Sequence, residues 1–157
     1  MTEMNDGLKI TGSVRKQLFD SEGNLKYDHT DSNLVVTSGK AYLASWLTAA
    51  SQAGEFMSWV GLGTGITAPV AGNTDLETPL ATRVQGILTT PGSTNIWQNQ
   101  VTFGPGVDTG SITEAGLFSS NWTYPTPAGT MFARQTFGTV SKASGDTFIL
   151  TWQITLA

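Results

Sequence analysis

The only histidine of the chain, His29, lies in Tyr27-Asp28-His29-Thr30-Asp31, where an imidazole between two carboxylates has the makings of an acid–base pair. A zinc site wants three or four ligands converging from separated positions, and a Ser-His-Asp triad wants a nucleophile on a defined turn. No motif here supplies either, so the segment reads as a solvated turn. The chain has no cysteine, which excludes disulfides, thiolate metal sites and Cys nucleophiles. Gly61-Leu-Gly63-Thr-Gly65 follows an apolar run, the setting of a phosphate-cradling loop, but it continues as Ile-Thr-Ala-Pro69 and not into a helix. Ser38-Gly39-Lys40 lacks the leading glycine of a P-loop and is followed by Ala41. Neither reads as a nucleotide site, and no cofactor or metal is expected.

Most of the twelve carboxylates, among them Asp20, Glu22, Asp108 and Asp146, fall in turns or tails. Asp108 sits in a Gly-Pro-Gly-Val-Asp-Thr-Gly loop with too few oxygen ligands around it for calcium. Glu77 and Glu114 stand apart. Glu114, in Ile112-Thr-Glu-Ala-Gly-Leu-Phe118, is flanked by apolar strand residues and must face solvent, a partner, or a cation such as Arg83 or Arg134. A structural ion pair is favoured over a general acid, because no second carboxylate has a comparable setting. No two titratable groups have settings that would push their pKa values apart, so the chain reads as a non-enzyme. Trp122 and Tyr124, on a loop stiffened by Pro125 and Pro127, are the aromatics that a protein interface or a sugar-binding surface would use, or that would fold back over a sheet edge.

The elements that position these residues follow from composition and period. Charged residues are 13% of the 157, and Gly is 18 of them; that is a strand-and-turn composition. A chain of this length buries roughly 68–70% of its unfolded surface, enough for a core without staples. Eight scattered Lys and Arg against twelve Asp and Glu argue against nucleic acid as a partner. No apolar run is long enough for a membrane span, and the polar N-terminus is not a signal peptide, so the chain is expected in a soluble compartment.

Residues 8–19 and 25–27 read as a hairpin about Asp20-Ser-Glu-Gly-Asn24, with an exposed N-terminal strand. Leu43, Trp46, Leu47 and Ala50 recur at helical spacing and predict one α-helix over about 38–52, capped by Thr37 or Ser38 and ended by Gly54. Strands are expected over 56–62, 82–90, 95–103, 111–118, 130–137 and 147–156, with one helical turn allowed between 72 and 80. Phe148, Leu150, Trp152, Ile154 and Leu156 alternate with Thr147, Ile149, Thr151, Gln153 and Thr155 and give the last strand one core face. The fold class is therefore mainly β: an antiparallel β-sandwich, jelly-roll-like, in a single domain with one inserted α-helix.

Several segments taken together resemble small virion structural proteins of tailed bacteriophages, found as head decoration or cement proteins and as tail or baseplate components. They are Asn33-Leu-Val-Val-Thr-Ser-Gly-Lys40, Val60-Gly-Leu-Gly-Thr-Gly-Ile-Thr-Ala-Pro69, Thr74-Asp-Leu-Glu77 ahead of Arg83, residues 112–118, Met131-Phe-Ala-Arg134, and the closing strand. The resemblance implies a compact β-domain with no catalytic residues, often trimeric, seated on or between larger subunits. It further implies that Glu77, Arg83, Glu114 and Arg134 are internal ion-pair members and that the glycine loop is a tight turn.

From this the chain is expected to be a capsid decoration protein that assembles in the host cytoplasm, binds the major capsid protein and stabilises the head, since whatever binds only the assembled shell lowers that state's free energy. The alternatives are a tail, baseplate or fibre-adaptor component, and a carbohydrate-binding module stacking sugars on Trp122, Tyr124 and Trp97. Residues 1–19 are expected to act as an N-terminal arm reaching a neighbour through Leu8, Ile10 and Val14, with residues 20–157 forming the sandwich.

Overall fold

The computed structural model describes residues 9–48, 56–92, 95–121 and 129–157. Among them are nine strands: β1 (Ile10–Phe19), β2 (Leu25–Val35), β3 (Trp59–Gly63), β4 (Pro79–Gln85), β5 (Ile87–Thr89), β6 (Ile96–Phe103), β7 (Gly110–Phe118), β8 (Met131–Lys142) and β9 (Thr147–Leu156), with one helix, α1 (Thr37–Thr48), between β2 and β3. All strand pairs are antiparallel, in the order β4-β3-β7-β8-β2-β1-β9-β6-β5. The sheet nearly closes into a barrel and makes the mainly β, sandwich-like single domain expected from the sequence.

The first hairpin turns on Asp20, whose Oδ1 accepts the backbone N–H groups of Glu22 at 2.9 Å and Asn24 at 2.8 Å. Its second strand runs on to Val35, so the His29 segment is strand and not turn. Polar residues survive there because they pair across the ladder: Arg15 forks onto Asp28, and Lys16 reaches Asp31.

Residues 10–19 do not stand off as an arm, nor is β1 an exposed edge. It is flanked by β2 on one side and β9 on the other, paired along most of its length with both. Val14 is fully buried and lies opposite Trp152; it is a core residue and not a partner contact, and half-buried Ile10 packs against the same core. The physical reason is the strand's period, which puts Val14, Lys16 and Leu18 on one face where the last strand's apolar face continues it. Leu8 lies outside the described residues.

One strand expected over 82–90 is two. β4 pairs with β3 and β5 with β6, at the two ends of the strand order. The chain crosses from one edge to the other at Gly86, whose N–H donates to Ser58 O at 2.8 Å. A Cβ there would sit 1.9 Å from Asn99 Oδ1 and 2.4 Å from Val101 Cγ2, so the corner admits only glycine. On the opposite side β2 and β8 meet only at Leu34↔Arg134 and Val35↔Ala133. The core fills the space between, with Val14, Leu18, Val101, Phe103, Phe148, Leu150 and Trp152 facing Val60, Leu62, Ile112, Leu117 and Ala133.

The helix begins where expected, but neither Thr37 nor Ser38 caps it. Lys40 N–H donates to Val36 O, Thr37 N–H to Ala71 O, and the Ser38 hydroxyl to Met131 O at 2.8 Å. The Lys40–Val36 bond closes the first turn and puts Val36 at the N-cap position, while tertiary acceptors take the Thr37 N–H and the Ser38 hydroxyl hydrogen. The helix is described to Thr48; Ala50 and Gly54 lie outside the described residues. Residues 72–78 hold no helical turn.

Candidate functional site: a buried carboxylate under a stapled loop

Strict alternation would place Ile112, Glu114, Gly116 and Phe118 on one face of β7. A bulge between Ile112 and Glu114 shifts the register against β8, so Ile112, Ala115 and Leu117 enter the main core while Glu114 turns to the other face. That face is roofed by residues 64–78. Its floor is a cross-strand row in which Arg83, Gly61, Gly116 and Arg134 pair in succession, with Gly63 opposite Glu114 in the adjacent row. The glycines leave the space that Leu76 of the roof fills, beside a small cluster of Val36, Phe118 and Met131.

Glu114 is fully buried. Its Oε1 accepts the backbone N–H groups of Gly65 at 3.0 Å and Thr78 at 2.8 Å, and its Oε2 accepts that of Glu77 at 3.1 Å. Arg134, 2% exposed, donates to the same Oε2 through Nε at 2.9 Å and Nη2 at 2.7 Å. One carboxylate thus satisfies both ends of the loop and neutralises a buried guanidinium, the condition under which a buried charge is tolerable. A Cβ on Gly63 or Gly65 would lie 2.4 or 2.6 Å from Glu114 Oε1, which is why the loop is rich in glycine.

Two further contacts finish the staple. Arg134 Nη1 donates to Asn73 Oδ1 at 3.2 Å, and its Nη2 lies 3.6 Å from Glu77 Oε2. Glu77 accepts from the Thr67 hydroxyl at 2.7 Å and the Thr67 N–H at 2.8 Å, and these bonds hold its carboxyl below the ordinary carboxylate range. The structure therefore brings Glu77, Glu114 and Arg134 together. Arg83 belongs to a neighbouring set: it lies 3.3 Å over the Phe118 ring centroid and 3.2 Å from Asp75 Oδ1, and donates to Ser120 O at 3.3 Å. Asp75, Asn73 and Thr67 had no signal in the sequence, because their roles depend on how the loop folds back.

The remaining candidates lie elsewhere. His29 Nε2 is 3.1 Å from Asp31 Oδ1, a contact between two exposed side chains on one strand. Lys16, which sequence reading passed over, is fully buried between Asp31 and the Phe137 ring, 4.5 Å from its centroid. Trp122 and Tyr124 lie outside the described residues. Trp97 is not a free stacking platform, since it is half-buried against Phe132 with ring centroids 5.6 Å apart. Both rings line an apolar cavity of about 380 Å³ at the barrel end beside α1.

Asp108 is held in the left-handed region at φ 45°, which Asp and Asn tolerate best among non-glycine residues. One carboxylate oxygen is buried without a hydrogen-bond partner, and burial pushes its pKa up to about 6 despite the nearby Lys142 and a hydrogen bond from the Thr82 backbone. A folded-state value above the unfolded one near ~3.9 means that folding takes up a proton. The associated stability is present below about pH 4 and is lost as pH rises through about 6. Asp108→Asn is expected to exceed the parent at pH 8 by on the order of 1–2 kcal/mol, with the advantage gone at pH 4, measured by urea denaturation at both.

Among the described residues no group of three or more His, Cys, Asp or Glu could hold a metal ion, and no helix is long and apolar enough to cross a membrane. The fold and site thus define an antiparallel β domain whose buried ionic centre holds a surface loop. Comparison with known proteins found no matching family model, no matching curated protein and no matching solved structure.

Proposed function

We propose that the chain is a non-enzymatic structural protein of a tailed-bacteriophage particle, a capsid decoration protein that works by binding protein subunits. The observation that carries this reading is where the resembling segments meet. Residues 60–69, 74–77, 112–118 and 131–134, scattered along the chain, converge on the Glu114 staple, with Arg83 beside it against Asp75. Their charged and glycine residues are occupied in shaping a loop that presents two large apolar side chains to solvent, Ile66 79% and Val70 57% exposed. A rigid loop offering apolar side chains loses little conformational freedom on docking, which suits a protein contact.

The test is co-sedimentation of the purified protein with undecorated heads and, separately, with tails. Saturable binding to heads at many copies per particle is the expected result. Binding to tails alone moves the protein to the tail or baseplate, and binding to neither sinks the virion reading.

A further inference from the structure

Residues 104–109 join β6 to β7, and Asp108 carries this loop to an edge of the sheet. β4 stands at one end of the strand order with β3 as its ladder partner, and Thr82 falls where the β3–β4 register shifts. The Thr82 backbone N–H donates to the Asp108 carboxylate. The other carboxylate oxygen, Oδ2, is buried and has no hydrogen-bond partner. The charged groups around it are committed to other contacts. Lys142 of β8 faces Asp108, but it is 2% exposed and donates to Gly104 O at 2.9 Å. Asp146, in the turn to β9, also faces Lys142 and is held by Lys26 at 2.7 Å and by the Ala143 N–H at 2.9 Å. β4 meets the loop with backbone, because its Arg83 lies over the Phe118 ring, and residues 86–113 carry no charged side chain besides Asp108.

We infer that Asp108 is a proton-operated latch: protonated, it holds the 104–109 loop against β4, and ionised, it lets the loop lift from that edge. A carboxyl group with one oxygen buried and unpaired is tolerable as a neutral acid and costly as an ion. Lifting brings that oxygen to water. It also releases a non-glycine residue from the left-handed region, where Asp108 is held at φ 45°. Glycines on either side, Gly106 at φ 76° and Gly110 at φ 120°, supply the backbone freedom that the movement needs. The direction of the switch follows from linkage. Held in the loop, the group titrates at about 6; lifted into water, it titrates near the ordinary ~3.9. The lifted form therefore gains on the held form as pH rises from about 4 to about 6, and changes little above that. Between pH 4 and pH 7 the gain is on the order of fiftyfold. What the latch uncovers is backbone on β4, at a place where the ladder to β3 is already interrupted.

The experiment is nuclear magnetic resonance on the full chain from pH 4 to pH 7, following the Asp108 carboxyl carbon and the hydrogen exchange of backbone amides, each corrected for its intrinsic rate. The carboxyl carbon should titrate with a midpoint near 6. Protection at Thr82 should fall on the order of fiftyfold across the range, and it should respond weakly to low urea, the mark of a local opening. Gly65, under the stapled loop, reports an opening that leaves Asp108 in place and should show no such fall. In Asp108→Asn the Thr82 response to pH should be flat, since the amide does not titrate. A carboxyl midpoint near the ordinary ~3.9 overturns the latch. So does a Thr82 amide that shares the urea dependence and opening constant of the β9 amides, because it would then be freed only by global unfolding. If Asp108→Asn does not retain the parent circular dichroism, the carboxyl titration and the urea dependence of Thr82, both made on the parent chain, decide the matter alone.

Discussion

Glu114→Ala is expected to destabilise the domain by about 3–5 kcal/mol, the range for removing one member of a buried ion pair. The loss is large because the substitution strands more than a charge. Arg134, 2% exposed, keeps only Asn73 and the more distant Glu77, and the backbone N–H groups of Gly65, Glu77 and Thr78 lose their acceptor under the loop. Urea denaturation measures the total. Amide exchange at Gly65, Glu77 and Thr78 tests the cause, since these three should exchange far faster while β1 and β9 amides follow the global change. Glu114→Gln keeps acceptor oxygen but not charge, and a loss of about 1–3 kcal/mol is expected. Asp75→Ala is the contrast: it takes one charged partner from Arg83, 3% exposed, which keeps the Phe118 ring and Ser120 O, so a loss of about 1–3 kcal/mol is expected. An Asp75 effect equal to that of Glu114 would show that the staple is not specific to the buried carboxylate.

Deleting residues 1–18 is expected to abolish cooperative unfolding altogether. β1 supplies the ladders that join β2 to β9, and with it go Val14 and Leu18, 0% and 2% exposed. Losing a central strand leaves two facing edges unpaired and a gap in the core, more than a domain of marginal stability can absorb. Deleting residues 1–8 alone leaves both ladders in place and should keep the transition within about 1 kcal/mol of the parent. Near-ultraviolet circular dichroism with urea titration distinguishes the two. A folded domain lacking residues 1–18 would reinstate the view of that segment as an arm. The comparison also separates partner binding from folding, because only the shorter deletion tests whether residues ahead of β1 reach a neighbour.

The sequence by itself determined the class of the fold. Phe148, Leu150, Trp152 and Ile154 announce a strand with one core face through period alone, and all four are buried as that period requires. The helix start, the Asp20 turn and the odd standing of Glu114 among apolar residues were legible for the same reason: each is written in residues a few positions apart. What the tertiary structure decided are the relations between distant segments. The bulge before Glu114 reverses the face that alternation would assign, and nothing local to residues 112–118 signals it. Gly86 reads as one glycine in a strand until both strand ends are seen at opposite edges of the sheet. Val14 looked like a contact residue for lack of a visible neighbour, and its neighbour, Trp152, lies at the other end of the chain. Arg134 could have met either of two glutamates, and only the fold of residues 64–78 over β7 brings both to it. Period and turn chemistry are short-range and survive in a one-dimensional reading, whereas register, closure and the pairing of buried charges depend on chain segments that meet only when the sheet has formed.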